Sequence, residues 1–367
     1  MKLLLVESTY PINTRSRRIL ASLRSILDNN IAISYIAWNR DNRALTPGDE
    51  KFFIFNKCAP YGNLRRKLST LVEFRNYVRK INLTYNPDYL IASHWEVLWI
   101  CSMIKGKHQK LIYENLDMPT SESNFLLIIL KTIERIALRR THAIIHASRF
   151  FLPHYSFFNA TQILIENRPY KSIARPPKHL YYESKRFKIA FIGTIRYFNI
   201  MKTLIDIGSE LDIEILFFGE GAEESSLKKY SKGMDNIHFF GKYDYNNLPE
   251  IYASADLIWA AYPVKDHNVK YAISNKFFES MVLLKPAIFS QGSKLGEFVG
   301  ERKIGLVIDP YDIKTAKGVI DQYIKNSRVA INIQKNMFRS GERSFWEDEE
   351  SKLQQLFTWN KPDTINA

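Results

Sequence analysis

Short runs of β-branched and aromatic residues alternate along this chain with stretches whose apolar positions recur at helical spacing, the pattern of βαβ units around a parallel sheet. Strands are predicted near 2–6, 31–37, 52–56, 88–93, 110–113, 143–147 and 161–165. Between the first two, Ile19, Leu20, Leu23, Ile26 and Leu27 repeat at the spacing of a helix packed on a sheet. The alternation lapses from Asn167 to Lys188, where three prolines and many charges interrupt any hydrophobic period. It then restarts, with strands predicted near 187–192, 213–218, 237–240, 255–260, 286–289 and 305–308. Three helical segments follow Tyr311, the last near Phe345 to Trp359.

The reading is α/β, with two doubly wound Rossmann-like domains joined by the 167–188 segment. A chain of 367 residues is long enough for two such cores. Sheets of this kind bind ligands beyond the carboxyl ends of their strands, so the active site is expected in the cleft between the domains.

Composition narrows the setting. The longest strongly apolar stretch, Phe125 to Leu130, falls far short of the roughly 20 residues that cross a bilayer. Met1 to Val6 resembles the start of a signal peptide, but Glu7 ends the apolar run early, so it reads as a first strand. Cys58 and Cys101 are too few for a disulfide framework or a cysteine zinc site, and a reducing, cytoplasmic setting is expected. Charge is unevenly spread: residues 1–170 hold 24 Lys and Arg against 13 Asp and Glu, which is +11 of the total +14. A basic half points to an anionic partner: a phospholipid surface, a phosphorylated acceptor or nucleic acid. The plain alternative is a solvated basic face. No aromatic-interleaved basic motif or nucleic-acid module is present, which sets nucleic acid aside.

The most informative stretch is Ala272 to Ser290, a polar turn, a short apolar helix and a strand. Ser274 or Asn275 can cap that helix, whose free N–H groups, with Lys276, favour a bound diphosphate. Glu279 lies one turn on, placed to accept hydrogen bonds from a pair of sugar hydroxyls. Its alternatives are an i,i+3 ion pair with Lys276 or a capping box. A box would need Glu at 277 or 278, and both are Phe. A second signal is Gly193 to Lys202, where Gly193 allows close backbone approach and Arg196 and Lys202 offer charge to phosphate oxygens. Phe217 to Glu224 looks like a dinucleotide turn, but G-x-G-x-x-G would need Gly at 224, which is Glu, and this argues against an NAD enzyme.

In the first half, His94 follows a strand, where an imidazole can meet a phosphate or a reacting sugar; a lone histidine is otherwise structural. Arg15, Arg17 and Arg18, and Arg65, Arg66 and Lys67, sit in the first turns of two predicted helices. Positive charge there opposes the helix dipole, so both clusters read as sites for an anion, a lipid-linked acceptor's phosphates or an anionic inner-leaflet membrane surface.

Taken together these residues resemble the GT-B glycosyltransferases of the group 1 type, glycosyltransferase family 4, which build lipopolysaccharide, capsule and other glycans. The second half matches in order through F-I-G-T-I-R with Lys202, I-L-F-F-G-E-G, N-I-H-F-F-G-K-Y, L-P-E-I-Y-A-S-A-D-L-I-W-A-A-Y-P, S-N-K-F-F-E-S-M and K-P-A-I. The resemblance implies that Arg196 and Lys202 grip the diphosphate of a UDP- or GDP-linked sugar and that Glu279 holds its ribose. It places Gly241, Lys242 and Tyr243 beside the base and brings His94 to the donor sugar. It implies retention of anomeric configuration, no cofactor beyond the nucleotide-sugar co-substrate, and a terminal helix returning to the first domain. The domains are then 1–168 with 345–367 for the acceptor, and 169–344 for the donor. The protein is expected to be cytoplasmic and peripheral at the inner face of the cell membrane.

Two positions depart from the family pattern: Tyr271 stands where relatives often carry a second glutamate, and Leu284 where they favour glycine. No D-x-D triplet occurs, so the carboxylate motif for a metal-bound donor is missing. Two alternatives share the architecture, a nucleotide-sugar 2-epimerase and a non-catalytic, membrane-associated subunit of a glycan assembly complex.

Overall fold

The computed structural model describes residues 1–27, 31–46, 48, 51–59, 64–121 and 123–357, with residues 64–68 given as helical backbone. The chain divides into two compact units, Met1–Glu166 with Glu349–Ala367, and Asn167–Asp348.

Unit 1 runs β1 (Lys2–Glu7), α1 (Thr14–Ile26), β2 (Ala32–Asn39), β3 (Phe53–Asn56), α2 (Leu64–Tyr85), β4 (Tyr89–Ser93), α3 (Trp95–Ile104), β5 (Lys110–Asn115), α4 (Asn124–Leu138), β6 (Ala143–His146) and β7 (Thr161–Leu164). Its seven strands lie in the order β3-β2-β1-β4-β5-β6-β7, all parallel. Parallel strands covered on both faces need continuous apolar runs, and Leu3, Leu4, Leu5 and Val6 of β1 are fully buried. On α1, Ile19, Leu20 and Leu23 are buried, and Asn13 caps the helix by accepting from Ser16 N at 2.8 Å. The chain order reverses between β1 and β4, which makes the carboxyl ends of those strands the ligand edge of this sheet.

Unit 2 runs β8 (Lys188–Ile192), α5 (Phe198–Leu211), β9 (Glu214–Phe218), α6 (Glu224–Tyr230), β10 (Ile237–Gly241), α7 (Leu248–Ala253), β11 (Leu257–Ala260), α8 (His267–Tyr271), α9 (Asn275–Leu283), β12 (Ala287–Ser290), α10 (Lys294–Arg302), β13 (Leu306–Ile308), α11 (Ile313–Lys325) and α12 (Ser327–Arg339). α13 (Trp346–Glu350) crosses the boundary and continues as a 3₁₀ turn to Leu356, so the last helix is shorter than the sequence suggests; Trp359 lies outside the described residues. The sheet order is β10-β9-β8-β11-β12-β13, again parallel, with its reversal between β8 and β11. Phe217 and Phe239 stack at 4.7 Å and Phe218 and Phe240 at 4.5 Å, tying β9 to β10. The proline-rich segment from Asn167 is laid along unit 2: Arg175 pairs with Glu250 at 2.5 Å, and Tyr181 N donates to Ser254 Oγ at 2.7 Å.

α9 closes on Leu284, whose φ of +51° is left-handed. That conformation is one glycine adopts without cost; this chain makes the turn with leucine.

Candidate functional site

At the reversal point of the second sheet, the loops after β8 and β9 press backbone to backbone. Gly193 N donates to Phe218 O at 2.8 Å, Ile195 N to Glu220 O at 3.0 Å, and Gly219 N to Gly241 O at 2.7 Å. A Cβ on Gly219 would lie 2.0 Å from Gly193 O, and one on Gly221 2.1 Å from Ile195 O. The F-F-G-E-G stretch is therefore no failed cofactor turn; its glycines admit the neighbouring loop. Gly221→Ala will destabilise unit 2 by about 3 kcal/mol or more, because the obstacle is main chain. Gly318→Ala on α11, with nothing within 4 Å, will add about 0.5–1 kcal/mol. Urea unfolding of the two variants separates them, and equal midpoints would refute the packing argument.

Lys276, in the first turn of α9, is drawn into this corner. Ser274 caps the helix, its side chain accepting from Lys276 N at 3.4 Å, and Asn275 Oδ1 accepts from Asn167 Nδ2 at 2.7 Å. The Lys276 side chain is 8% exposed, and its amine lies 3.0 Å from where a Cβ on Gly193 would sit. It rests 5.2 Å from the Phe191 ring and 5.6 Å from the Tyr262 ring. Among the described residues no carboxylate comes within ion-pair distance of it, so the i,i+3 pair with Glu279 is not formed. A nearly buried cation with ring faces and no anion is an incomplete arrangement.

Two features extend the corner. Tyr262 is fixed by Ser290, whose Oγ accepts from Tyr262 N and donates to Tyr262 O, both at 2.7 Å. Its ring meets that of Tyr197 at 6.4 Å, and Arg196 lies exposed over Tyr197 at 5.0 Å. Tyr197 starts α5 with φ +65° and no side-chain cap, leaving first-turn N–H groups for a ligand. Lys202 sits one turn further, paired with Asp206 at 2.6 Å and set against the Tyr230 ring at 4.6 Å. No contact among the described residues joins Lys202 to Lys276 or Gly193.

Glu279, one turn along α9, is buried beside two phenols. Tyr252 OH donates to Glu279 Oε2 at 2.8 Å. Burial and then the Glu279 charge hold the Tyr252 and Tyr243 hydroxyls well above the usual phenol range. Tyr243 follows Gly241, which bends the chain at φ +69° where β10 loses register with β9. Tyr252 and Tyr262 escape the sequence reading, since each acts through a partner 27 or 28 residues away.

Unit 1 builds a polar cluster at its own reversal point. His94, after β4, is held at φ +73°, a conformation costly for a side chain with a Cβ and often found at working sites. Two carboxylates lie fully buried nearby. Glu7 accepts from Thr9 Oγ1 at 2.5 Å, Asn13 N at 2.8 Å and Asn13 Nδ2 at 2.9 Å. Burial raises its pKa, opposed by these bonds and by the His94 charge. Glu114 accepts from Arg15 Nε at 3.1 Å, Ser93 Oγ at 3.0 Å and Ser16 Oγ at 3.2 Å. The visible signal for both was a carboxylate ending an apolar strand.

This corrects one expectation. Arg15 and Arg18 are buried, 3% and 6% exposed, so they are no part of a basic surface for a membrane or acceptor. Arg15 turns inward because Glu114, already desolvated, requires a cation. Arg17 alone of the three is exposed. The side chains of Arg65, Arg66 and Lys67 lie outside the described residues. Among the described residues no helix is long and apolar enough to cross a membrane.

Residues 181–341 match the family of group 1 glycosyl transferases. The succinoglycan biosynthesis protein ExoL of Rhizobium meliloti (strain 1021) is 22% identical over 269 residues, 68% of this chain and 67% of that protein. Of solved structures, sucrose-phosphate synthase from Thermosynechococcus elongatus has a TM-score of 0.76 at 13% identity, covering 97% of this chain and 98% of that one. Anabaena HepE in complex with UDP has a TM-score of 0.68 at 12% identity, covering 97% and 99%. At such identities the structures speak to the fold, which they share across nearly the whole length. Residues 181–341 of the second unit thus match the group 1 glycosyl transferase family, and the chain as a whole shares with these solved structures a fold of two doubly wound parallel sheets.

Proposed function

We propose that this protein transfers a hexose from a UDP- or GDP-linked sugar to a glycan or lipid-linked acceptor in cell-surface polysaccharide assembly, with retention of configuration. The observation that carries the donor half is the Lys276 amine, nearly buried at the reversal point of the second sheet with no carboxylate partner among the described residues. A diphosphate completes that arrangement. Its charge is met by Lys276 and Arg196 and by the positive dipole ends of α5 and α9, without a metal held by a carboxylate motif. As the sugar leaves, the same groups stabilise the charge growing on the departing phosphate. Glu279, braced by Tyr252, accepts from the ribose hydroxyls, and Gly241 with Tyr243 lines the base. Lys202, one turn into α5 and paired with Asp206, offers its charge to the same diphosphate. In unit 1, His94 meets the donor sugar and its phosphate. Unit 1 takes the acceptor, in the cytoplasm at the inner face of the membrane. ExoL, a relative named for succinoglycan biosynthesis, supports the polysaccharide setting.

A thermal-shift screen with UDP-, GDP- and ADP-sugars tests the donor site, since a ligand bound only by the folded state raises its apparent stability by about 2.7 kcal/mol at a hundredfold excess over Kd. Arg196→Ala and Glu279→Ala will each abolish the shift, because one charge-assisted bond is worth about 1.5–3 kcal/mol. A shift that survives in both variants refutes the site. Product analysis separates the rivals: an epimerised nucleotide sugar without a new glycosidic bond marks a 2-epimerase, and tight donor binding without turnover marks a non-catalytic subunit.

A further inference from the structure

Among the described residues, α4 in unit 1 is the helix that withholds most of its apolar surface from the core. Its sequence, N-F-L-L-I-I-L-K-T-I-E-R-I-A-L, is apolar nearly all round, a composition ordinarily found buried. Yet Phe125 is 74% and Ile128 64% exposed, and Leu126, Ile129 and Ile136 are exposed as well. At about 100° per residue, Phe125, Ile128, Ile129 and Ile136 share one outward sector of roughly 100°. The opposite face is locked down. Glu134, Ala137 and Leu138 are buried, and the Glu134 carboxyl accepts from Tyr113 OH at 2.9 Å and Tyr155 OH at 2.8 Å. Those bonds fix the roll of the helix, so the apolar sector stays outward.

Among the described residues, the charges of α4 and its carboxyl end that border that sector have one sign. Lys131 and Arg135 flank it, and Arg139 and Arg140 are exposed at its carboxyl end. Arg135 extends over the Phe157 ring at 4.1 Å, which widens the basic and aromatic rim. The one described carboxylate on α4, Glu134, faces inward. From this we infer that α4 docks the protein on an anionic phospholipid bilayer, lying in the interface with Phe125, Ile128, Ile129 and Ile136 among the acyl chains and the basic end on lipid phosphates. At 15 residues with internal charge, α4 is too short and too polar to span, so it lies along the surface. The docking surface is thus an element different from the first turns of α1 and α2. The inference deepens the membrane reading above and rests on it for its purpose, while its test needs neither donor nor acceptor.

Co-sedimentation of the full chain with phosphatidylcholine vesicles, with and without about a quarter phosphatidylglycerol, tests this. Binding is expected to the anionic vesicles and to fall as salt rises. Phe125→Ser with Ile128→Ser will reduce the bound fraction roughly tenfold, because these side chains insert. Arg135→Gln with Arg139→Gln will reduce it in anionic vesicles alone. Phe338→Ser, an equally exposed apolar residue on α12, will leave it unchanged, which controls for general stickiness. The inference is overturned if the full chain ignores both vesicles or if the Phe125 and Ile128 variant binds as well as the parent. It is also overturned if that variant only turns a dimer into a monomer, which assigns the face to a second copy. Unchanged thermal shifts with nucleotide sugars in the α4 variants keep the donor site separate from any failure here.

Discussion

Lys276→Met will leave the protein folded and cost about 100- to 1000-fold in turnover. Methionine keeps the apolar stem in its slot beneath Phe191 and Tyr262 and removes the charge alone. A preorganised charge aimed at a developing anion in a shielded site is worth roughly 3–4 kcal/mol of barrier, hence that loss. Stability should move the other way. An amine nearly buried without an anion destabilises the free enzyme, so its removal will raise the unfolding free energy, read by urea titration, by about 1 kcal/mol. The two readouts together discriminate: a residue of purely structural importance loses stability and activity in parallel. Turnover within threefold of the parent, on the order of 0.6 kcal/mol, refutes the assignment.

The second large effect concerns pH and the anchor of α4. Burial raises the Glu134 carboxyl to about 7, against 4.5 in the ordinary state, although Tyr113 and Tyr155 both donate to it. Between those values the folded chain holds a proton that the unfolded chain has released. Stability from this group is therefore complete below pH 4.5 and is lost as pH rises through 7, about 3 kcal/mol in all. Glu134→Gln keeps an oxygen to accept both phenols and cannot ionise. It will match the parent near pH 5 and exceed its stability by about 3 kcal/mol at pH 8. Hydrogen-exchange protection of the β5 and β6 amides reads unit 1 alone. Equal protection of parent and variant at pH 8 would refute the account.

Much of the architecture was legible because central parallel strands are written as unbroken apolar runs. Leu3 to Val6 and Ile189 to Ile192 announce β1 and β8, and each of the predicted strands is present within a few residues. The α9 start was legible too, since Ser274, Lys276 and Glu279 lie within one and a half turns. What stayed hidden was long-range pairing. Arg15 looks like surface charge until Glu114, 99 residues away, is brought beneath it by the order of the strands. Glu279 shows no sign in sequence of resting on Tyr252. Gly219 and Gly221 fail the spacing of a cofactor turn, and their reason, the backbone of residues 193–195, belongs to another loop. The Lys202–Asp206 pair is an i,i+4 contact within one helix and was readable from the start.

His146 lies beside this anchor, its ring 5.1 Å from that of Tyr155. It donates from Nε2 to Gln162 Oε1 at 2.9 Å and accepts at Nδ1 from Asn115 at 3.2 Å, and burial lowers it to about 4 from 6.5. Folding therefore strips a proton from His146 over nearly the acidity range in which it lends one to Glu134. The pair forms an internal counterweight: from about pH 4.5 to 6.5 their opposing demands cancel, and this corner of unit 1 takes up and releases nothing on melting. Altering one residue alone unmasks the demand of the other: without Glu134 this corner gains stability as pH rises through the window, and without His146 it loses stability there.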